Sequence, residues 1–160
     1  MSEDLPVIET SLAEDIEYYR HFYNFAPIGF YITKVEDGEF VLANPACIKM
    51  LGFKTFEELK ANCKSTQLYP PRQRTKLIQS VMKNGSVTNF ETEFDLKNGK
   101  KIWINLSARL SKTRNCLEGS ITDITDKVLL QEELESYKKK GLEKLIRMSI
   151  EIDERINNVG

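Results

Sequence analysis

The chain has 160 residues, 41% of them hydrophobic and 29% charged, enough for one compact domain with its own core plus an appendage but tight for two full domains. Lys and Arg total 23 against 24 for Asp and Glu, a formal charge of -1, so no global field favours nucleic acid or an anionic membrane as a partner. The opening residues are acidic where a signal peptide needs a basic region and an apolar run, and no stretch of about 18 uninterrupted apolar residues occurs, so a cytoplasmic protein is expected. Cys47, Cys63 and Cys116 are odd in number and without CxxC spacing, which argues against a disulfide framework and a structural zinc site and fits free thiols in a reducing compartment.

In chain order, the first amphipathic stretch is Leu12 to Phe25, where Leu12, Ile16, Tyr19, Phe22 and Tyr23 fall at helical spacing. Two short β-prone runs follow, Gly29 to Lys34 and Glu39 to Leu42, joined by Val35-Glu-Asp-Gly38, whose Asp-Gly pair signals a turn. Asn44-Pro45 has the form of a helix start, with Asn at the N-cap and Pro at the first helical position, and Gly52 stops the helix. Thr55 with Glu58 three residues on has the capping-box form and opens a second short helix. Pro70-Pro71 breaks the chain before a longer helix over Arg72 to Lys83, striped by Leu77, Ile78, Val81 and Met82 and ended by Asn84-Gly85.

From Thr88 the period changes to two. Phe90, Thr92, Phe94 and Leu96 alternate with Glu91, Glu93, Asp95 and Lys97, which predicts a half-buried strand. Asn98-Gly99 predicts a tight hairpin into a return strand over Ile102 to Leu110, and Leu117 to Ile124 adds another strand. Two strands, a cluster of short helices and three antiparallel strands make an α+β pattern in which the helices cover one face of one sheet.

The stretch Asp126 to Val159 has no proline and one glycine, and predicts a helix of up to about 50 Å. Leu134, Leu145, Met148, Ile152 and Val159 repeat at alternating steps of three and four, with Lys138, Gly141 and Arg155 filling the other slots, an imperfect heptad seam. The seam predicts pairing with a second copy through Leu134, Leu145, Met148 and Ile152; folding back of part of the helix onto the sheet is the alternative.

Several of these segments together resemble the PAS superfamily: Phe25-Ala-Pro-Ile-Gly29, Asn44-Pro-Ala-Cys-Ile-Lys-Met-Leu-Gly-Phe53, Leu68-Tyr-Pro70, Asn98-Gly-Lys-Lys-Ile-Trp103 and Gly119-Ser-Ile-Thr-Asp-Ile-Thr125. The resemblance divides the chain into a polar segment with a short helix (residues 1–19), a PAS sensor domain (20–125) and an amphipathic signalling or dimerisation helix (126–160). It implies a five-stranded antiparallel sheet cupping short helices over a small cavity, with the terminal Asp-Ile-Thr handing the chain to an effector or dimerisation helix. Independently of family, Asp123, Thr125 and Asp126 are short polar acceptors at a strand-to-helix junction, where free N–H groups need caps, and Asp123 and Thr125 are the expected relay.

Flavin photoreceptors of the light-oxygen-voltage branch carry an Asn-Cys-Arg segment, and Asn62-Cys63-Lys64 stands at the matching place. The strand positions that hold the flavin ring in that branch match Phe94, Ile104 and Ile121 here, which leaves a buried ring's polar edge unsatisfied at roughly 1–3 kcal/mol per group. Haem of the type held by a histidine on the long helix is disfavoured too, because the one histidine, His21, precedes the core. Helical stripe and strand alternation nominate Leu51, Phe53, Leu77, Val81, Phe94, Ile104, Leu106 and Ile121 as the interior lining, residues that also serve as plain core. Any small molecule held there is expected to be mostly apolar, with Thr92, Asn105 or Ser107 as polar contacts where the strands expose them.

No phosphate loop, nucleophile elbow, kinase catalytic loop or zinc-protease pattern occurs, so no catalytic or metal-binding residue is assigned and no reaction is expected. The expected role is a sensory module relaying a ligand or conformational state to its last helix, with itself and a downstream effector as partners. A ligand-free dimerisation platform, or a thiol redox sensor acting through Cys63 or Cys116, is the alternative.

Overall fold

The computed structural model describes residues 11–159; the acidic opening segment lies outside the described residues. Its elements are α1 (Leu12–Phe25), β1 (Gly29–Lys34), β2 (Phe40–Ala43), α2 (Pro45–Met50), α3 (Phe56–Asn62), a 3-10 turn (Ser65–Gln67), α4 (Gln73–Asn84), β3 (Ser86–Asp95), β4 (Lys101–Ser111), β5 (Cys116–Asp123) and α5 (Thr125–Asn157). The strands form one antiparallel sheet in the order β2-β1-β5-β4-β3, so β5 returns to pair with β1 in the middle. The chain divides into two units at residues 123 and 124, the sheet with its helices and α5.

Alternation assigns the sheet's faces. Tyr31 and Thr33, Thr92 and Phe94, Ile104 and Leu106, and Leu117 and Ile121 are buried on the inner face. Against them pack Cys47, Ile48 and Leu51 of α2, Leu59 of α3, Leu68 after the 3-10 turn, and Leu77 and Val81 of α4, which close a single core. The opposite face carries Phe30, Asn105, Ser107 and Glu118, all half-buried.

Local chemistry sets the element ends. Ser11 and Glu14 form a reciprocal capping box on α1. Asn44 caps α2, with Pro45 at its first position. Thr55 caps α3, but the Glu58 carboxylate reaches the Lys54 N–H, one residue before the cap, so only half of a capping box forms. α4 begins at Gln73 because Arg72, at φ 73, lies in the left-handed region and cannot be helical. Gly85, at φ 80, ends it.

The β3–β4 connection is the tight hairpin expected at Asn98-Gly99, closed by a three-residue loop. The Leu96 N–H donates to the Lys100 carbonyl and the Gly99 N–H to the Leu96 carbonyl. Only Gly99 of the loop has positive φ, at 84, which makes a three-residue loop of Lys97, Asn98 and Gly99. Asn98 instead braces the turn, its side-chain oxygen accepting from the Lys100 N–H.

The helix α1 matches its amphipathic pattern in extent but not in burial. Leu12, Ile16, Tyr19 and Phe22 are exposed. Its last turn is the anchored part: Tyr23 stacks near Phe30, and its carbonyl accepts from the Asn44 amide. α5 stands as a separate 33-residue helix, and among the described residues no helix is long and apolar enough to cross a membrane.

Candidate functional site

The interior of the sheet-and-helix unit holds a cavity lined on the sheet side by Tyr31, Thr33, Phe40, Phe94, Leu106, Leu117 and Ile121. Cys47, Leu51, Ser65, Leu68, Tyr69, Arg74 and Leu77 complete the wall. Counted as room for the centres of water molecules it measures about 20 Å³, enough for about one water; the space outside atoms, including the part open to solvent, is about 380 Å³.

Of the nominated lining residues, Leu51, Leu77, Phe94, Leu106 and Ile121 meet at this cavity. Val81 and Ile104 are buried in the core but do not reach it, and Phe53 packs against the core from its edge. Asn105 and Ser107 alternate with Ile104 and Leu106, so they lie on the other face of the sheet, where the Asn105 amide donates to Asn89. Thr92 is on the inner face, its hydroxyl turned to the Glu93 carbonyl.

The polar part of the wall was not nominated from the sequence, although two periodicities mark it. Period two in β1 puts Gly29, Tyr31 and Thr33 on one face, and steps of three and four in α4 put Arg74 on the stripe of Leu77 and Val81. The Tyr31 hydroxyl donates to the Ser107 carbonyl at 3.3 Å, and an Arg74 guanidinium N–H donates to the Val35 carbonyl at 2.8 Å. Burial raises the Tyr31 and Tyr69 phenols well above their ordinary range, with Arg74 pulling Tyr69 the other way, so both hydroxyls stay protonated at neutral pH. Tyr69 meets Phe94 edge to face, with ring centroids 4.8 Å apart.

The cysteines are all buried. Burial pushes the Cys47 thiol up to about 12 and raises Cys63 as well, Lys97 opposing the latter, which disfavours the thiolate of both. The Cys63 thiol points to the Lys64 carbonyl and is not part of the cavity wall. Alkylation of all three in the folded protein is expected to run at least about tenfold slower than in denaturant, read by mass shift over time. A Cys63 or Cys116 that reacts equally fast in both states would support the redox reading.

At the junction of the two units, the expected side-chain cap does not fall on the N-cap. That position is Ile124, which has no side-chain oxygen, while Thr125 is the first residue of α5 and Asp126 sits in its first turn. One favourable term there is the Asp126 charge near the positive end of the helix dipole. On α5, Leu134, Leu145, Met148 and Ile152 are all about half exposed or more, at 52%, 64%, 48% and 53%.

A sheet of this order, with short helices packed on one face over a small interior cavity, defines the chain's class as an α+β module. The sequence model of the PAS domain family matches residues 27–126, and the chain belongs to that family. No curated protein matches it. Among solved structures it is similar to an RNA-binding light-oxygen-voltage receptor, at 19% identity and TM-score 0.63, with 87% of this chain covering 41% of that one. A domain of a sensory box sensor histidine kinase/response regulator from Geobacter sulfurreducens is similar at 22% identity and TM-score 0.56, over 71% of this chain and 97% of that one. The ethanol-bound PAS domain of a LuxR-family transcriptional regulator from Burkholderia thailandensis is similar at 14% identity and TM-score 0.51, over 66% and 96%.

The residues present do not fit a flavin. Phe94, Ile104 and Ile121 are buried and offer it no amide, Cys63 is outside the cavity wall, and the cavity is of water size.

Proposed function

We propose that the chain is a sensory and regulatory module: the cavity registers a small molecule or a conformational state, and β5 passes that state to α5. The observation that carries this reading is the course of β5. Its residues Leu117 and Ile121 line the cavity, its last residue is Asp123, and α5 begins at Thr125, so a single residue separates the sensing strand from the output helix. A displacement of Ile121 is thereby applied to the backbone next to the helix start, with Asp123 and Thr125 as the relay. Such a change acts by shifting the population of two packings of α5 rather than by chemistry, and the reading assigns no reaction to the chain.

Two copies pairing through α5 are the second part of the proposal. A 33-residue helix with Leu134, Leu145, Met148 and Ile152 exposed gains most of its stability from packing, and a matching stripe on a second copy supplies it. A downstream effector domain or protein is then the receiver of the state of the pair. A ligand-free dimerisation platform is the second reading, and the small cavity is what favours it.

Native mass spectrometry of freshly purified protein separates these readings. A dimer carrying an extra small mass is the expected result, a clean dimer supports the platform, and a clean monomer rejects pairing through α5. The combined variant Leu134→Glu, Leu145→Glu, Ile152→Glu is expected to be monomeric, its dissociation constant raised at least about a thousandfold, since each apolar side chain buried in the seam is worth about 1.5–3 kcal/mol. Unchanged dimer mass in that variant would place the interface elsewhere.

A further inference from the structure

The exposed stripe on α5 repeats more regularly at eleven residues than at seven, and, given the pairing of two copies proposed above, on which this rests, the repeat sets how they meet. Leu130, Leu134 and Tyr137 recur eleven residues on as Gly141, Leu145 and Met148, and again as Ile152, Ile156 and Val159, the last just past the helix C-cap. Every slot but Gly141 holds a hydrophobic side chain between 48% and 86% exposed. Ile152, Ile156 and Val159 line one shallow apolar groove, edged by Arg155. The heptad seam instead puts Lys138 and Arg155 in slots that a pair would bury, at a cost in desolvation. Leu142, Ile146 and Ile150 lie off the stripe. The positions eleven residues before them are Gln131, Glu135 and Lys139, so they form a patch and not a repeat.

A helix of 3.6 residues per turn drifts by about 20° over seven residues in one sense and by about 20° over eleven in the other. The eleven-residue stripe therefore runs closer to the helix axis and winds a pair with a slight right hand. A stripe about 100° wide along about 45 Å of helix offers roughly 500 Å² on each copy, and the total of roughly 1,000 Å² is the least that a specific interface needs. The flanks keep the same repeat: Glu133, Lys144 and Arg155 border one side, Lys127, Lys138 and Ser149 the other. In a parallel pair the two flanks meet, so Glu133 of each copy stands opposite Lys138 of the other, and Lys144 opposite Ser149. In an antiparallel pair each flank meets itself, and Lys144 is set against Lys144.

We propose that α5 binds a second copy of this chain in parallel along an eleven-residue seam, which takes in Leu130, Tyr137 and Ile156 and leaves Lys138 and Arg155 at its rim.

The test adds one exposed cysteine to the full chain, as Ile156→Cys or Arg155→Cys, and follows linking of the dimer by oxidised glutathione, read as mass under denaturing, non-reducing conditions. Ile156→Cys is expected to link at least about tenfold faster, because only thiols facing each other across the seam reach disulfide distance. Faster linking through Arg155→Cys overturns the eleven-residue seam in favour of the heptad. Linking through neither, in a chain that native mass spectrometry shows to be a dimer, overturns the parallel arrangement. In sedimentation, Leu130→Glu with Tyr137→Glu is expected to raise the dissociation constant at least about a hundredfold, and an unchanged constant overturns the seam. Leu134, Leu145 and Ile152 belong to both seams, so the combined glutamate variant at those three tests the pairing itself: if it too remains a dimer, pairing through α5 falls together with the seam.

Discussion

Replacing Asn44 by Ala is expected to cost on the order of 3–5 kcal/mol of folding stability, a large part of the total of about 5–15 kcal/mol typical of a domain. Asn44 is 0% exposed, and its amide has four partners. Its oxygen accepts from the Phe30 N–H at 2.9 Å and the Cys47 N–H at 3.0 Å, and its nitrogen donates to the carbonyls of Tyr23 at 3.1 Å and Ile28 at 2.9 Å. One side chain thus joins the end of α1, the start of β1 and the first turn of α2. Losing a helix cap alone costs about 1 kcal/mol, and each backbone group left in the interior without a partner adds about 1–3 kcal/mol.

Urea unfolding followed by circular dichroism measures this, with Thr55→Ala on the exposed cap of α3 as the reference, expected to lose about 1 kcal/mol. Asn44→Asp separates the two halves of the role: it keeps both accepted bonds, loses both donated ones and buries a charge, so it should fall below wild type as well. An Asn44→Ala variant no worse than the Thr55 reference would mean that the three elements are held by packing alone.

How much of this was legible beforehand follows from the range of the interactions involved. Asn44 as the cap of α2 is written in the Asn-Pro dipeptide, because capping reaches only three residues along the chain. Its donated bonds to Tyr23 and Ile28 are 21 and 16 residues away and leave no local pattern. The same division holds in the cavity. Leu77 and Phe94 declare themselves by helical and strand periods, whereas the period cannot distinguish the buried Ile104 from the cavity-lining Leu106 two positions on the same face. Arg74 was hidden by its charge, which reads as solvent-facing even though its step from Leu77 places it inside. The turn at Asn98-Gly99 shows the limit of dipeptide signals: the pair specifies a bend with a left-handed glycine, but the pairing of Asp95 with Lys101 sets a longer loop than two residues. Amphipathic spacing in α1 and α5 found both helices, yet it carries no information on what covers the stripe.

Gly119→Ala is expected to have the largest effect of any single methyl addition, a loss above about 3 kcal/mol or failure to fold. Gly119 sits in β5 between β1 and β4, paired with Tyr31 on one side and Ala108 on the other. A Cβ there would run into the carbonyl of Ser107, which is backbone and cannot rotate away, and into the Tyr31 hydroxyl that donates to that same carbonyl. Relief requires the central strands to separate or Tyr31 to swing out of the cavity wall, so lost stability and altered ligand binding should appear together. Gly141 in α5 is the opposite case, with nothing within 4 Å of such a Cβ, and Gly141→Ala should stabilise the helix by about 0.5–1 kcal/mol. Thermal melting of the two variants side by side tests the assignment. If Gly119→Ala melts with the unaltered protein, the close approach of β5 to Ser107 is not a fixed feature of the sheet, and the Tyr31 hydroxyl is free to serve a ligand instead.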